Sequence, residues 1–184
     1  MSNMVFRVRV NLAGIKGFYR LYSINGATTL YDIHKQLRND MEFAQDQIIM
    51  FKALDVTGGV VARYGLFDLG SGTVDRVSLE EAVKAGADTL IYFYDVTNRK
   101  SVILTVEGEA VGERVTGVVL RESKGPNPIE FENGYVAFED LPDRQRYLPG
   151  EEPDDEDLDD EDLEEEEEED ADEDGKEIFD EDEE

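Results

Sequence analysis

The chain has 184 residues, 46 of them acidic against 18 basic, with one histidine, no cysteine and a net charge of −28. Without cysteine there is no disulfide and no thiolate chemistry, and no apolar run approaches the ~20 residues of a membrane-spanning helix, so an integral membrane protein is not expected. Acidity on this scale disfavours loose binding to nucleic acid or anionic lipid, whose phosphates need Lys and Arg, and points to basic proteins or cations as partners.

Met1-Ser2-Asn3-Met4 leads directly into Val5-Phe6-Arg7-Val8-Arg9-Val10, with charges where the apolar core of a signal peptide belongs. Together with the missing cysteines this gives the expectation of a cytoplasmic protein. From Val5 to Leu12 the residues alternate, Phe6, Val8, Val10 and Leu12 on one face and Arg7, Arg9 and Asn11 on the other, the pattern of a half-buried strand. Ala13-Gly14-Ile15-Lys16-Gly17 reads as a turn and Phe18 to Ile24 as the return strand of a hairpin. Thr29-Leu30-Tyr31-Asp32 carries a helix start, a hydroxyl at the N-cap and a carboxylate three residues on. Leu30, Ile33, Leu37 and Met41 then recur at helical spacing, and Ile48 to Leu54 and Val60 to Leu69 are further strands.

Ser78-Leu79-Glu80-Glu81 is a capping box opening a short helix that Gly86 can stop. Strands are expected at Thr89 to Tyr94, Ser101 to Glu107 and about Arg114 to Arg121, with the hairpin signal Asn133-Gly134 beyond them. The order β-β-α-β-β-α-β-β-β has too few helices for a doubly wound sheet. It predicts an α+β domain over residues 1–150, a mostly antiparallel sheet with one principal helix and a second short one.

Residues 151–184 hold 26 acidic side chains and the single base Lys176, a net of −25, which leaves the first 150 residues at −3. Such dense like charge, with Leu158, Leu163 and the pair Ile178-Phe179 as its only large apolar residues, predicts a disordered tail in which Ile178 and Phe179 are the candidate anchor. Calcium-binding EF-hand loops need ordered oxygen ligands and a glycine, an order absent from Asp154 to Glu169.

Within the domain no motif announces a reaction. His34 stands alone beside the apolar stripe of the first helix, and a metal site needs three or four converging ligands, so it reads as a packing residue. No Gly-x-Ser-x-Gly elbow presents a nucleophile to it. The glycines at 58–59 and 65–72 have neither phosphate-loop nor dinucleotide spacing and read as loops. Catalytic, cofactor and metal sites are therefore all expected to be absent. The one candidate patch is basic: residues 1–40 have a net charge of +4, and Arg7 and Arg9 share a strand face to which Arg20 on the next strand can lie close. That patch suits a phosphate backbone or the chain's own tail; otherwise it is a solvated sheet face.

The stretch Val5 to Lys16, then Phe18 to Ile24, then Thr29-Leu30-Tyr31-Asp32-Ile33-His34 resembles the opening of the Ri-plasmid ORF-three-like family, also called the insertion-element passenger TnpR family. Leu79-Glu80-Glu81-Ala82-Val83 and Leu90-Ile91-Tyr92-Phe93-Tyr94-Asp95 are similar to its later motifs, so that the resemblance covers roughly residues 5–110. The chain departs from the family at Met41-Glu42-Phe43, where Phe-Gly-Trp is common, and at Val96-Thr97-Asn98, where Phe-Gly-Asp and a tryptophan are common. A site built on those residues would be degraded here. The resemblance implies an association with mobile genetic elements but no reaction, since no recombinase motif is present. The combined expectation is a non-enzymatic cytoplasmic interaction protein whose tail engages or shields basic surfaces. The alternative is a nucleic-acid-associated factor whose basic face is masked until the tail is displaced.

Overall fold

A computed structural model describes residues 4–132. The Asn133-Gly134 signal, the boundary at Gly150 and the acidic tail with Ile178 and Phe179 lie outside the described residues.

The elements follow the expected order: β1 (Val5–Leu12), β2 (Ile15–Asn25), α1 (Leu30–Asp40), β3 (Met50–Leu54), β4 (Val60–Gly65), α2 (Leu79–Lys84), β5 (Thr89–Asp95), β6 (Lys100–Glu109) and β7 (Val118–Lys124). A one-turn helix, α3 (Pro128–Glu132), is added at the end. The seven strands form one sheet in the order β4-β3-β5-β6-β1-β2-β7, and every pair of neighbouring strands is antiparallel. The fold is α+β.

Alternation decides which face is covered. Val8, Val10, Phe18, Tyr22, Leu90, Tyr92, Val102 and Leu104 share one cluster with Leu30, Ile33 and Leu37 of α1 and Leu79 and Ala82 of α2. Phe131 of α3 packs against the same cluster, edge-on to Phe18 with ring centroids 6.2 Å apart. All three helices therefore lie on one face of the sheet. Each large side chain sealed there contributes about 1.5–3 kcal/mol of transfer free energy. The predicted caps close the helix starts: Thr29 Oγ1 accepts from the Asp32 amide at 3.1 Å, and Ser78 and Glu81 form a reciprocal capping box.

The departures have local causes. The first hairpin turns on Ala13-Gly14 alone, with Gly14 at φ +73°, and β2 already begins at Ile15. β4 stops at Gly65 instead of running to Leu69, because the Asp68 carboxylate accepts from the amides of Gly70 and Gly72 at 2.7 and 3.0 Å and bends the chain into a loop. β7 begins at Val118, four residues later than expected, since Glu113 ties the preceding segment to Arg7 and Ser23 by side-chain bonds and holds it out of the ladder.

Candidate functional site

The face turned away from the helices is assembled by strand register. Arg63 pairs with Lys52, Lys52 with Ile91, Ile91 with Ile103, Ile103 with Asn11, Asn11 with Tyr19 and Tyr19 with Lys124, so one row of side chains crosses all seven strands. Lys52, Ile91 and Ile103 are half-buried and Arg63 is exposed. Phe93, half-buried, lies next to the row on β5, with the Lys52 ammonium 6.0 Å from its ring centre. No described helix covers this face. Lys52 and Arg63 have no ion-pair partner among the described residues, although like charges placed directly opposite on neighbouring strands repel.

The structure brings Arg7 and Arg9 together on this open face but places Arg20 elsewhere. Arg20 is in register with Val10, whose side chain is in the core, so Arg20 emerges on the helix side and is only 6% exposed. There it donates to the carbonyls of Lys124 and Gly125 at 2.7 and 3.0 Å and to Asn127 Oδ1 at 3.2 Å, with its guanidinium 4.6 Å from the Phe18 ring centre. Burial holds its pKa below the usual guanidinium value. The three-arginine patch is thus not one surface, and Arg20 is a clamp on the chain leaving β7.

Arg7 and Arg9 are already matched. Arg7 bonds Glu113 at 2.8 Å; Glu113 also accepts from Ser23 Oγ at 2.6 Å and lies 3.3 Å from Arg121. Arg9 pairs with Glu107 and sits 5.0 Å from the Tyr19 ring centre. The hydrogen bond from Ser23, followed by that from Arg7, keeps the Glu113 carboxyl below the ordinary carboxylate range.

His34 lies on the covered face of α1. Its Nδ1 is 2.6 Å from Tyr92 Oη, and the rings of Tyr31 and Tyr92 stand 5.7 and 5.8 Å away. Burial first, then the nearby Arg38 and Lys35 charges, lower its pKa from 6.5 to about 4, so the ring is neutral at physiological pH and shares a hydrogen bond with the tyrosine hydroxyl. Burial correspondingly raises the Tyr92 phenol. Among the described residues no group of three His, Cys, Asp or Glu side chains could hold a metal ion.

A cleft of about 970 Å³ opens between α1 and the segment preceding β7, lined by Thr28, Asp32, Lys35, Asn39, Arg114 and Thr116 among others. Its lysine is engaged with Asp32 at 2.8 Å. Besides that ion pair the walls offer amides, hydroxyls and one exposed arginine, suited to hydrogen bonding of a polar ligand.

Lys52 and Arg63 went unnoticed in the sequence. Each is an isolated base in a strand, and their opposition emerges only once the β3–β4 register is known.

No protein-family model matches the chain, and no curated protein matches it. Among solved structures the chain is similar to the protein of unknown function MM3350 from Methanosarcina mazei Go1, with a TM-score of 0.54 and 16% identity over 69% of this chain and 72% of that one. At that identity the likeness is one of fold.

Proposed function

We propose that the protein is a non-enzymatic, cytoplasmic interaction protein whose polyanionic tail engages or shields basic surfaces. The supporting observation is the fate of the N-terminal arginines. With Arg7 on Glu113, Arg9 on Glu107 and Arg20 buried on the far side of the sheet, these three arginines form no preformed phosphate-binding patch among the described residues. The dominant charged feature of the chain is then its tail, with 26 acidic groups in 34 residues. Such a segment competes with nucleic acid for basic proteins and does so through charge, hence with steep salt dependence. Kinship with the Ri-plasmid ORF-three-like family is part of this proposal, supported by the hairpin-and-helix motif at residues 5–34 and by Leu90 to Asp95.

The test uses the full chain and a variant with Glu164 to Glu169 replaced by Gln, titrated against fluorescent poly-lysine and, in a second arm, duplex DNA. The native chain is expected to bind poly-lysine with an affinity that falls steeply from 50 to 300 mM salt, and the variant several-fold more weakly. Equal binding by the two forms overturns the reading. Binding of DNA by the variant alone, lost in Arg7→Ala with Arg9→Ala, replaces it with the masked nucleic-acid factor.

A further inference from the structure

We infer that the cleft between α1 and the segment before β7 is a binding site for a small polyhydroxylated oxyanion, a sugar-sized molecule bearing one phosphate or carboxylate. The site stands apart from the acidic tail and from the role proposed for it.

Three observations carry it. The first is an unsatisfied hydroxyl at depth. Thr28 lines the cleft and is only 8% exposed. Its main chain is fully used: the amide donates to the Asn25 carbonyl at 2.9 Å, and the carbonyl accepts from the Leu79 amide at 2.9 Å. Its hydroxyl bonds to no described residue. Among the described residues the side-chain oxygen that is both sealed and unpartnered is Thr73 Oγ1, so the Thr28 hydroxyl is not sealed, and the cleft is the space on which it opens. A polar group at that depth gains more from a partner than an exposed one, because little water competes for it. The helix start is not itself the site. The amides of Leu30 and Tyr31 donate to the Val77 and Val74 carbonyls at 2.9 and 2.8 Å, and that of Asp32 is capped by Thr29 Oγ1.

The second is the sign and kind of the lining groups. Two cations, Lys35 and Arg114, stand with one acid, Asp32, a local net of +1 in a cleft of a domain that carries −3. Glu113, next to Arg114 in the chain, is held by Ser23 and Arg7 at 2.6 and 2.8 Å. Arg114 has no ion pair among the described residues, and neither have Arg76 and Arg99; it differs from them in sharing a cleft with a second cation and the Thr28 hydroxyl. Lys35 uses one donor on Asp32 at 2.8 Å and retains others. Guanidinium and ammonium bonds to an oxyanion are charge-assisted and strong. The remaining polar groups are of both kinds: the Asn39 amide, the Thr116 hydroxyl and Gln36 Oε1, whose own Nε2 is bound to Asp40 at 2.8 Å. Such a mixture suits hydroxyl groups, which donate and accept alike. No aromatic ring is among the described lining residues, so a nucleobase has nothing to stack on.

The third is preorganisation. The wall opposite α1 is outside the strand ladder yet fixed. The Asn25 amide donates to the Gly117 carbonyl at 2.9 Å, its Nδ2 to the Val115 carbonyl at 3.1 Å, and its Oδ1 accepts from the Ala27 amide at 2.9 Å. One residue thus holds both the segment before β7 and the turn that leads to Thr28, and a ligand need not order either. The volume of about 970 Å³ lies at the upper end of small-molecule sites and leaves room for bridging water beside a sugar.

The test titrates the full-length protein at about 0.15 M salt, where exposed charges more than about 8 Å away are screened. Glucose 6-phosphate, gluconate, glucose and inorganic phosphate are compared by calorimetry and by amide NMR. At least one sugar oxyanion should bind with a dissociation constant of about 1 mM or below and shift the amides of Thr28, Lys35, Arg114 and Thr116. Glucose and inorganic phosphate, each lacking half of the complementarity, should bind at least about tenfold more weakly. The tighter of glucose 6-phosphate and gluconate identifies the oxyanion. Arg114→Gln should weaken binding about tenfold and Thr28→Val about three- to tenfold, with Thr28→Ser restoring it. The Arg114 side chain is exposed and holds no part of the described fold, so if Thr28→Val does not fold, the Arg114 comparison decides. No binding of either sugar oxyanion up to about 10 mM overturns the inference, as does binding left unchanged by Arg114→Gln or by a folded Thr28→Val. Equal binding of inorganic phosphate makes this a bare-anion contact, and equal binding of glucose a neutral-sugar site; either result overturns it too. Poly-lysine binding should be the same in all of these variants, so the reading of the tail stands or falls separately.

Discussion

His34 is the only histidine in the chain, which makes the pH dependence of folding between pH 7.5 and 5 a measurement of one residue. In the folded domain its Nδ1 lies 2.6 Å from Tyr92 Oη and its pKa lies at about 4, against 6.5 for the free side chain. The folded state therefore resists the proton that the unfolded state takes up. Stability is fully present above 6.5, declines as the pH falls through the interval between the two values, and stops declining below about 4. Linkage puts the loss at about 2 kcal/mol by pH 5 and about 3 kcal/mol at its acid limit. The domain carboxylates lowered by their partners, such as Asp32 and Glu113, titrate below this window. Urea melts at pH 7.5, 6.5, 5.5 and 5.0 on the native chain and on His34→Asn provide the assay, since Asn offers an acceptor close to Nδ1 but does not titrate. The native chain should lose about 1–2 kcal/mol across the series relative to the variant, and the tail carboxylates cancel in the difference. Parallel profiles refute the reasoning.

Replacing Arg20 with Met should cost about 2–4 kcal/mol in urea melts, because the carbonyls of Lys124 and Gly125 lose their donor inside a packed surface, and Lys should not restore it. Gly125→Ala should cost at least about 3 kcal/mol in the same assay, since a Cβ there would lie 2.0 Å from the Gly17 carbonyl oxygen and the residue holds φ +78°. Arg63→Glu should raise thermal stability by a few tenths to about 1 kcal/mol, as a like-charge cross-strand pair with Lys52 becomes an opposite one. Ser78→Ala should lower stability by about 1 kcal/mol through loss of the capping box, read as earlier amide exchange across α2.

Much of the architecture was legible because it rests on local chemistry. Thr29 and Ser78 mark helix starts through hydroxyls that accept backbone amides, and the alternation of Phe6, Val8 and Val10 states which face of β1 is buried. Boundaries failed where a side chain competes with the backbone, as the Asp68 carboxylate does after Gly65 and Glu113 does before Val118. Arg20 was misplaced although the signal was present: it shares its parity with Phe18, Tyr22 and Ile24, and so belongs to the covered face. A charge on an aromatic strand face reads as exposed because three of its four acceptors come from residues 124–127, over a hundred positions away. Lys52 and Arg63 were invisible for a different reason. Two bases eleven residues apart become neighbours only when the hairpin closes about Thr57 and Gly58 and its irregularity at Leu54 is known.

The position of β1 and β2 inside the sheet has a consequence for how the domain is made. This hairpin, which precedes the rest of the described domain in the chain, is flanked on one side by β6 and on the other by β7, so its two outer edges find their partners about a hundred residues later. Loop closure over that distance must be completed before those ladders stabilise anything, which places the domain among slowly folding topologies. The hairpins β3–β4 and β5–β6 can form as soon as they are synthesised, but the edge of β1 stays open until Glu109 has emerged and that of β2 until Lys124. During that interval the alternating apolar face of β1 and β2 is the segment most exposed to mispairing and to chaperones. The acid-rich residues 151–184 come after Lys124 in the chain, so their charge is absent throughout that interval.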